Sequence, residues 1–160
     1  MVTKEQIAGL GLTMANERAL LAAGEPGHYN AMTIGWALFG RLWNIPSATV
    51  FVRESRYTLG FMEKYGYFTI SFYPKEWNSA LAIMGTKSGR DIDKVAATGL
   101  TPKFTDKYVT FEQAYLTVVC RKMYSQWLDM EAFPKDVIEK HYPKKDDNHK
   151  MFAGEIVEIV

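Results

Sequence analysis

The chain has 160 residues, a formal net charge of +1 and 48% apolar side chains. That near-neutral balance offers no long-range field to recruit nucleic acid or an anionic membrane, and the apolar share is too high for a disordered chain. The single cysteine, Cys120, rules out an intramolecular disulfide and a cysteine-rich metal site.

The length suits one domain, 1–160, able to bury its own core. Met1 to Gln6 lacks a basic-then-apolar secretion pattern, and no stretch approaches the ~20 apolar residues of a membrane span. A soluble, cytoplasmic protein is therefore expected. Aromatic residues make up 14% of the chain, which points to a π-lined site or a subunit interface.

Taken in order, Glu17 to Ala23 reads as a strand, closed by the turn signal Gly24-Glu25-Pro26-Gly27. Ala31 to Leu38 reads as a second strand, whose Gly35 would admit a ligand or another backbone. Ala48 to Val52 is a short β-branched strand bounded by Pro46. Thr58 to Gly66 reads as a short helix, with Thr58 as N-cap and Gly66 as C-cap. Tyr67 to Phe72 is rich in β-branched and aromatic residues and reads as a strand. Residues 75–84 carry Trp77, Leu81 and Met84 at helical spacing. Asp91 to Thr98 reads as another helix, stopped by Gly99. Val109 to Ser125 is the longest β-rich stretch, interrupted at Glu112 and Gln113. Lys135 to Lys140 gives one or two helical turns, and Met151 to Val160 a last strand. Uneven strands with short helical insertions predict a mainly β fold, a barrel closed around one core, and not a doubly wound α/β sheet.

Two polar loops stand out, about thirty residues apart. The first, Phe51-Val52-Arg53-Glu54-Ser55-Arg56-Tyr57-Thr58, offers two guanidiniums and two aliphatic hydroxyls where a strand gives way to a helix. The second, Gly85 to Lys94, offers Lys87, Arg90 and Lys94, two hydroxyls and two glycines. Guanidinium forks and free N–H groups at a helix start are suited to phosphate. The same residues could also form a solvated surface, where ion pairs contribute little. Gly85 to Lys94 fails the P-loop spacing, and no Gly-x-Gly-x-x-Gly turn follows a strand. His28, His141 and His149 fall in separate loops without metal-ligand spacing, and His149 reads most simply as exposed. Lys144 to Asp147 reads as a solvated turn, and Cys120 as a small buried hydrophobe.

Three stretches together resemble one family. They are Asn30-Ala31-Met32-Thr33-Ile34-Gly35-Trp36, Val52-Arg53-x-Ser55-Arg56-Tyr57-Thr58 and Ser88-Gly89-Arg90-Asp91-x-Asp93-Lys94. In order and spacing they are similar to the flavin reductase-like, flavoredoxin-type proteins, whose fold is the FMN-binding split β-barrel. Gly154-Glu155-Ile156-Val157, preceded by His149, is similar to that family's last strand. The resemblance spans roughly 18–160, and nothing is carried onto Met1 to Asn16.

The resemblance implies a homodimer with FMN near the subunit interface. Arg53, Ser55, Arg56 and Thr58 would hold the phosphate and ribityl chain, completed by Ser88, Gly89 and Lys94. Met32, Thr33, Ile34, Gly35 and Trp36 would line the isoalloxazine edge, with Asn30 nearby, and His149 would lie on the substrate side. NAD(P)H would pass hydride to the flavin, and electrons would go on to free flavin or an acceptor protein. No side chain is obligatory as nucleophile or base, so no catalytic residue and no metal are assigned. Other readings are a non-enzymatic FMN electron carrier, a split barrel holding haem or pyridoxal phosphate, and a β-barrel interaction module.

Overall fold

The computed structural model describes residues 2–160. Seven strands form one antiparallel sheet: β1 (Ala19–Glu25), β2 (His28–Ile34), β3 (Leu38–Leu42), β4 (Ile45–Arg53), β5 (Tyr67–Phe72), β8 (Leu116–Trp127) and β9 (His149–Ile159). Their spatial order is β2-β1-β5-β8-β9-β4-β3. The edge strands β2 and β3 follow each other in the chain, joined only by residues 35–37. Such a link reaches at most about 14 Å from Ile34 to Leu38, so the two edges must come near each other. The sheet therefore rolls into a barrel with a gap between β2 and β3.

Alternation along β1 shows how the barrel is packed. Leu21 and Ala23 face the interior with Val50, Phe68, Ile70, Val118 and Phe152. Leu20 and Ala22 face outward, yet are covered by Leu81, Met84, Val109 and Phe111. A strand buried on both sides reads as a continuous apolar run, which is what Ala19 to Ala23 is. The outer cover consists of α3 (Asn78–Thr86), α4 (Lys94–Thr98) and the hairpin of β6 (Pro102–Phe104) with β7 (Val109–Phe111). Helices α1 (Lys4–Asn16) and α2 (Thr58–Lys64) pack on the interior cluster through Leu10, Met14, Leu59, Phe61 and Met62. Helix α5 (Lys135–His141) lies in the connection between β8 and β9.

Several expectations are corrected. The strand expected over Ala31–Leu38 ends at Ile34, because the chain crosses the barrel gap there, and β3 starts at Leu38. Pro46 lies inside β4, opposite Arg41, near the strand start where the missing N–H is tolerated. Trp43 and Asn44, at φ 51° and 63°, form the two-residue hairpin turn between β3 and β4. The helix expected from Asp91 begins at Lys94, since the Asp93 carboxylate accepts from Ala96 N and so caps it. Thr58 is not the N-cap of α2. Tyr57 is, and α2 stops at Lys64 with Tyr65 as its C-cap. The stretch from Val109 splits into β7 and β8 at the expected interruption. His28 opens β2, His141 closes α5 and His149 opens β9, so none of the three is a plain loop residue. Helix α1 is an element beyond those expected, started by the capping box of Thr3 and Gln6.

Gly154 shows how tightly the interior is filled. A Cβ there would lie 2.7 Å from the Phe68 ring and 2.9 Å from Cys120 Cβ. Gly154→Ala is expected to lower unfolding stability by about 1–3 kcal/mol through overpacking, measured by urea denaturation.

Candidate functional site

The two polar loops meet on the outside of β2. Strand β4 releases the chain at Arg53, and residues 54–57 turn it into α2. The chain leaving α3 runs back past this turn before α4. Arg56 Nη1 donates to Gly85 O at 3.1 Å, and Arg90 Nη1 donates to Ser55 O at 3.1 Å. The Arg90 guanidinium lies 5.0 Å from the centre of the Tyr57 ring. Gly89 fits against Asn30 and Tyr57 so closely that a Cβ would sit 2.5 Å from Asn30 Oδ1. Only a glycine allows the second loop to approach β2 this far.

Between the loops is a small cavity of about 110 Å3. Asn30, Met32, Ser55, Arg56, Thr58, Ser88, Gly89 and Lys94 all line it. Thr58, buried, accepts from Asn30 Nδ2 at 2.8 Å, so its hydroxyl proton remains to be donated. Lys94 is only 5% exposed. Its Nζ donates to Ala31 O at 2.6 Å and to Met84 O at 3.1 Å, and no carboxylate pairs with it among the described residues. An ammonium has three donors, so one remains. Burial, and secondarily the Arg56 charge, lower its pKa to about 8. A buried cation beside a guanidinium, without a counter-charge, is a costly arrangement that an anionic ligand would relieve.

A larger cavity of about 500 Å3 adjoins it, sharing Met32 and Arg56. One wall is the end of β2 and the crossing that follows: Met32, Thr33, Ile34, Gly35 and Trp36. As an edge strand, β2 has backbone groups on its outer side that no neighbouring strand satisfies. The opposite wall comes from the β8–β9 connection, through Leu128, Phe133, Val137, His141 and Tyr142. Arg53 and His149 complete it.

His149 is buried, contrary to the exposed position expected. Its Nδ1 lies 2.6 Å from the Tyr142 hydroxyl, and its ring is 5.5 Å from that of Trp36. Burial, then the Arg53 charge, lower its pKa to about 4, so the imidazole is neutral at pH 7. Arg53 Nη1 donates to Asp147 O at 3.1 Å, and its guanidinium lies 5.5 Å from the Tyr142 ring centre. Asp147 Oδ1 accepts from Ser55 N at 2.8 Å. The 144–147 segment is thus tied to the first loop and is more than a solvated turn.

The structure brings all fourteen candidate residues to these two adjoining cavities. Arg53 lines the larger one, away from Ser55 and Thr58, because β4 ends at Arg53 and the chain turns away over residues 54–57. Sequence reasoning missed the wall built by Phe133, Val137, His141 and Tyr142. The four-residue spacing of Val137 and His141 was the available signal, since it places both on one face of α5.

Residues 12–160 match the model of the flavin reductase like domain. The chain belongs to that family. Among solved structures it is similar to flavoredoxin from Methanosarcina acetivorans, at 23% identity and TM-score 0.68, covering 90% of this chain and 67% of that one. It is also similar to an FMN-binding protein from Thermus thermophilus with bound 1-cyclohex-2-enone, at 20% identity and TM-score 0.69, covering 90% and 69%. A protein with a split barrel domain from Shewanella frigidimarina matches at 17% identity and TM-score 0.68, covering 99% and 78%. At these identities the likeness establishes the fold, and the expected split barrel agrees with it. No curated protein sequence matches the chain.

The Lys94 amine makes the ligand-free protein's stability depend on pH. When folded it loses its proton near pH 8, against 10.5 for an ordinary lysine. Between those values the unfolded chain binds more protons, so folding is increasingly favoured as pH rises. This contribution is absent below pH 8 and complete above 10.5. The wild type minus Lys94→Met difference in unfolding free energy is expected to rise across that window, and urea titrations at stepped pH measure it.

Proposed function

We propose that this chain is an FMN-dependent oxidoreductase that takes hydride from NAD(P)H and passes electrons to a small acceptor. The observation that carries the reading is Lys94: a buried, unneutralised ammonium facing a phosphate-sized cavity also lined by Arg56 and Thr58. The adjoining cavity, with the apolar β2 edge on one side, has the size and flat wall that an isoalloxazine ring needs. FMN bound in this way would supply the hydride chemistry.

The chain's own residues then have definable tasks. Lys94, Arg56 and Thr58 neutralise and orient the phosphate through charge-assisted hydrogen bonds. The edge of β2 offers backbone groups to the polar side of the ring. Phe133, Val137 and Tyr142 exclude water from the opposite side. His149, uncharged and held by Tyr142, keeps a second cation away from the pyridine nucleotide's site while Arg53 provides one. The Thermus protein is described with 1-cyclohex-2-enone and with p-hydroxybenzaldehyde bound. A cavity of this volume leaves room for a small carbonyl acceptor of that kind, which favours an enzyme over a carrier that docks only to another protein. Steady NAD(P)H oxidation that continues on adding a small acceptor supports the enzyme, and negligible oxidation supports the carrier.

Phosphate recognition is tested by comparing flavins. FMN is expected to bind more tightly than riboflavin by on the order of 2 kcal/mol, about thirtyfold, in calorimetric titration. Lys94→Met is expected to weaken FMN binding at least tenfold while leaving riboflavin binding within about threefold. Equal affinities for the two flavins in the wild type would overturn the assignment.

We also propose that the chain works as a homodimer. Trp36 is 53% exposed, Leu38 63% and Trp43 68%; Trp36 lines the larger cavity, and Leu38 and Trp43 stand at the two ends of the edge strand β3. Large apolar side chains clustered this way mark an interface. Light scattering at micromolar concentration is expected to give about twice the 18.2 kDa chain mass, and Trp43→Glu is expected to shift it toward the monomer.

A further inference from the structure

Beyond the small cavity lies a third one, of about 490 Å3. It shares Asn30, Tyr57, Met84, Gly89 and Lys94 with the small cavity and extends past them to His28, Tyr29 and Phe61. The two are separated by the loop around Gly89 and Arg90. A Cβ at Gly89 would lie 2.5 Å from Asn30 Oδ1 and 2.9 Å from Tyr57 Cδ1, so the loop backbone approaches both side chains closely. Arg90 then fastens the loop to the other side of the site, by its hydrogen bond to Ser55 O and its position over the Tyr57 ring. Arg90 lines the third cavity and not the small one, so it stands outside the partition as its fastening.

We infer that Arg90 is a specificity-determining residue that closes the far end of the phosphate cavity and restricts the flavin to a mononucleotide. This rests on the FMN reading above. Sites for whole ligands usually measure about 300–1,000 Å3. The small cavity, at about 110 Å3, admits a phosphate group but not the second phosphate, ribose and adenine of a dinucleotide. The third cavity has room for that half, and aromatic walls from Tyr29, Tyr57 and Phe61 on which a purine could stack. What keeps a dinucleotide out is the fastened loop and not a lack of space behind it. Arg90 acts through loop position and is therefore a positioning residue, distinct from Arg56 and Lys94, which face the phosphate.

The test measures FMN and FAD binding by calorimetry to purified wild type, Arg90→Ala and Arg90→Lys. Arg90 is exposed, so neither variant disturbs the core. The wild type is expected to prefer FMN over FAD by at least about tenfold. Arg90→Ala is expected to tighten FAD binding about tenfold, with FMN binding changed by less than about threefold. Arg90→Lys keeps the charge but loses the guanidinium fork, and is expected to lie between them. Equal FMN and FAD affinity in the wild type overturns the inference. So does a loss of both flavins by the same factor in Arg90→Ala, which would make Arg90 a simple phosphate-attracting charge. Absence of FMN binding in the wild type would instead sink the cofactor reading itself, before Arg90 is reached.

Discussion

A single ammonium group organises the functional side of this barrel. Lys94 starts α4, yet its side chain runs inward to the carbonyls of Ala31 on β2 and Met84 on α3. It thereby ties three elements together at the point where β2 faces the outer helices. Two neutral acceptors solvate a buried cation only in part. Helix α4 is thus anchored to the sheet by an interaction that is satisfied fully only when something anionic arrives. The site is built around an unmet electrostatic demand, and its neighbours make sense in that light. Arg56 adds to the demand, Thr58 supplies a hydroxyl already oriented by Asn30, and Gly89 removes the side chain that would have filled the space.

The second constraint is geometric. A sheet whose first and last members are joined by residues 35–37 must roll up, and its rolled edges leave a gap. That gap exposes the outer side of β2 and brings it against the connection between β8 and β9. The larger cavity follows from this arrangement. It is apolar where α5 and Trp36 wall it, and cationic where Arg53 emerges from β4. The charges there are managed differently from those around Lys94. Arg53 has Asp147 as partner, and His149 avoids adding a charge by remaining neutral against Tyr142. One flank of the site therefore holds balanced charge and the other an unbalanced cation, which fits a ligand with a phosphate at one end and a ring at the other.

Much of this was legible in the chain because it was local. Tyr67–Phe72, the helix at 135–141 and the turn at Gly99 follow from residue type and spacing within a few positions. The two polar loops could be singled out for the same reason: their chemistry is concentrated in short runs. Helix α1 is equally local, marked by its Thr3–Gln6 capping box. The errors lie where long-range packing overrides local preference. Thr58 is a good N-cap residue, but Asn30, 28 positions away, draws its hydroxyl inward. His149 has the polar neighbours of a loop residue, but pairing with Arg53 places it at the start of β9 and under Trp36.

The sequence by itself determined the alternating strands, the short helices, the clusters of oxyanion-binding side chains and, through their order, the family. Those properties depend on residue identity and near-neighbour spacing, which the chain displays directly. Only the tertiary structure decided that the two loops share one cavity, that Arg53 belongs to the neighbouring one, and that Lys94 is buried without a counter-charge. Each of these depends on segments 35 to 94 residues apart being brought together by sheet register and barrel closure. No local pattern encodes such a distance, because the energy that fixes it comes from filling the whole barrel interior at once.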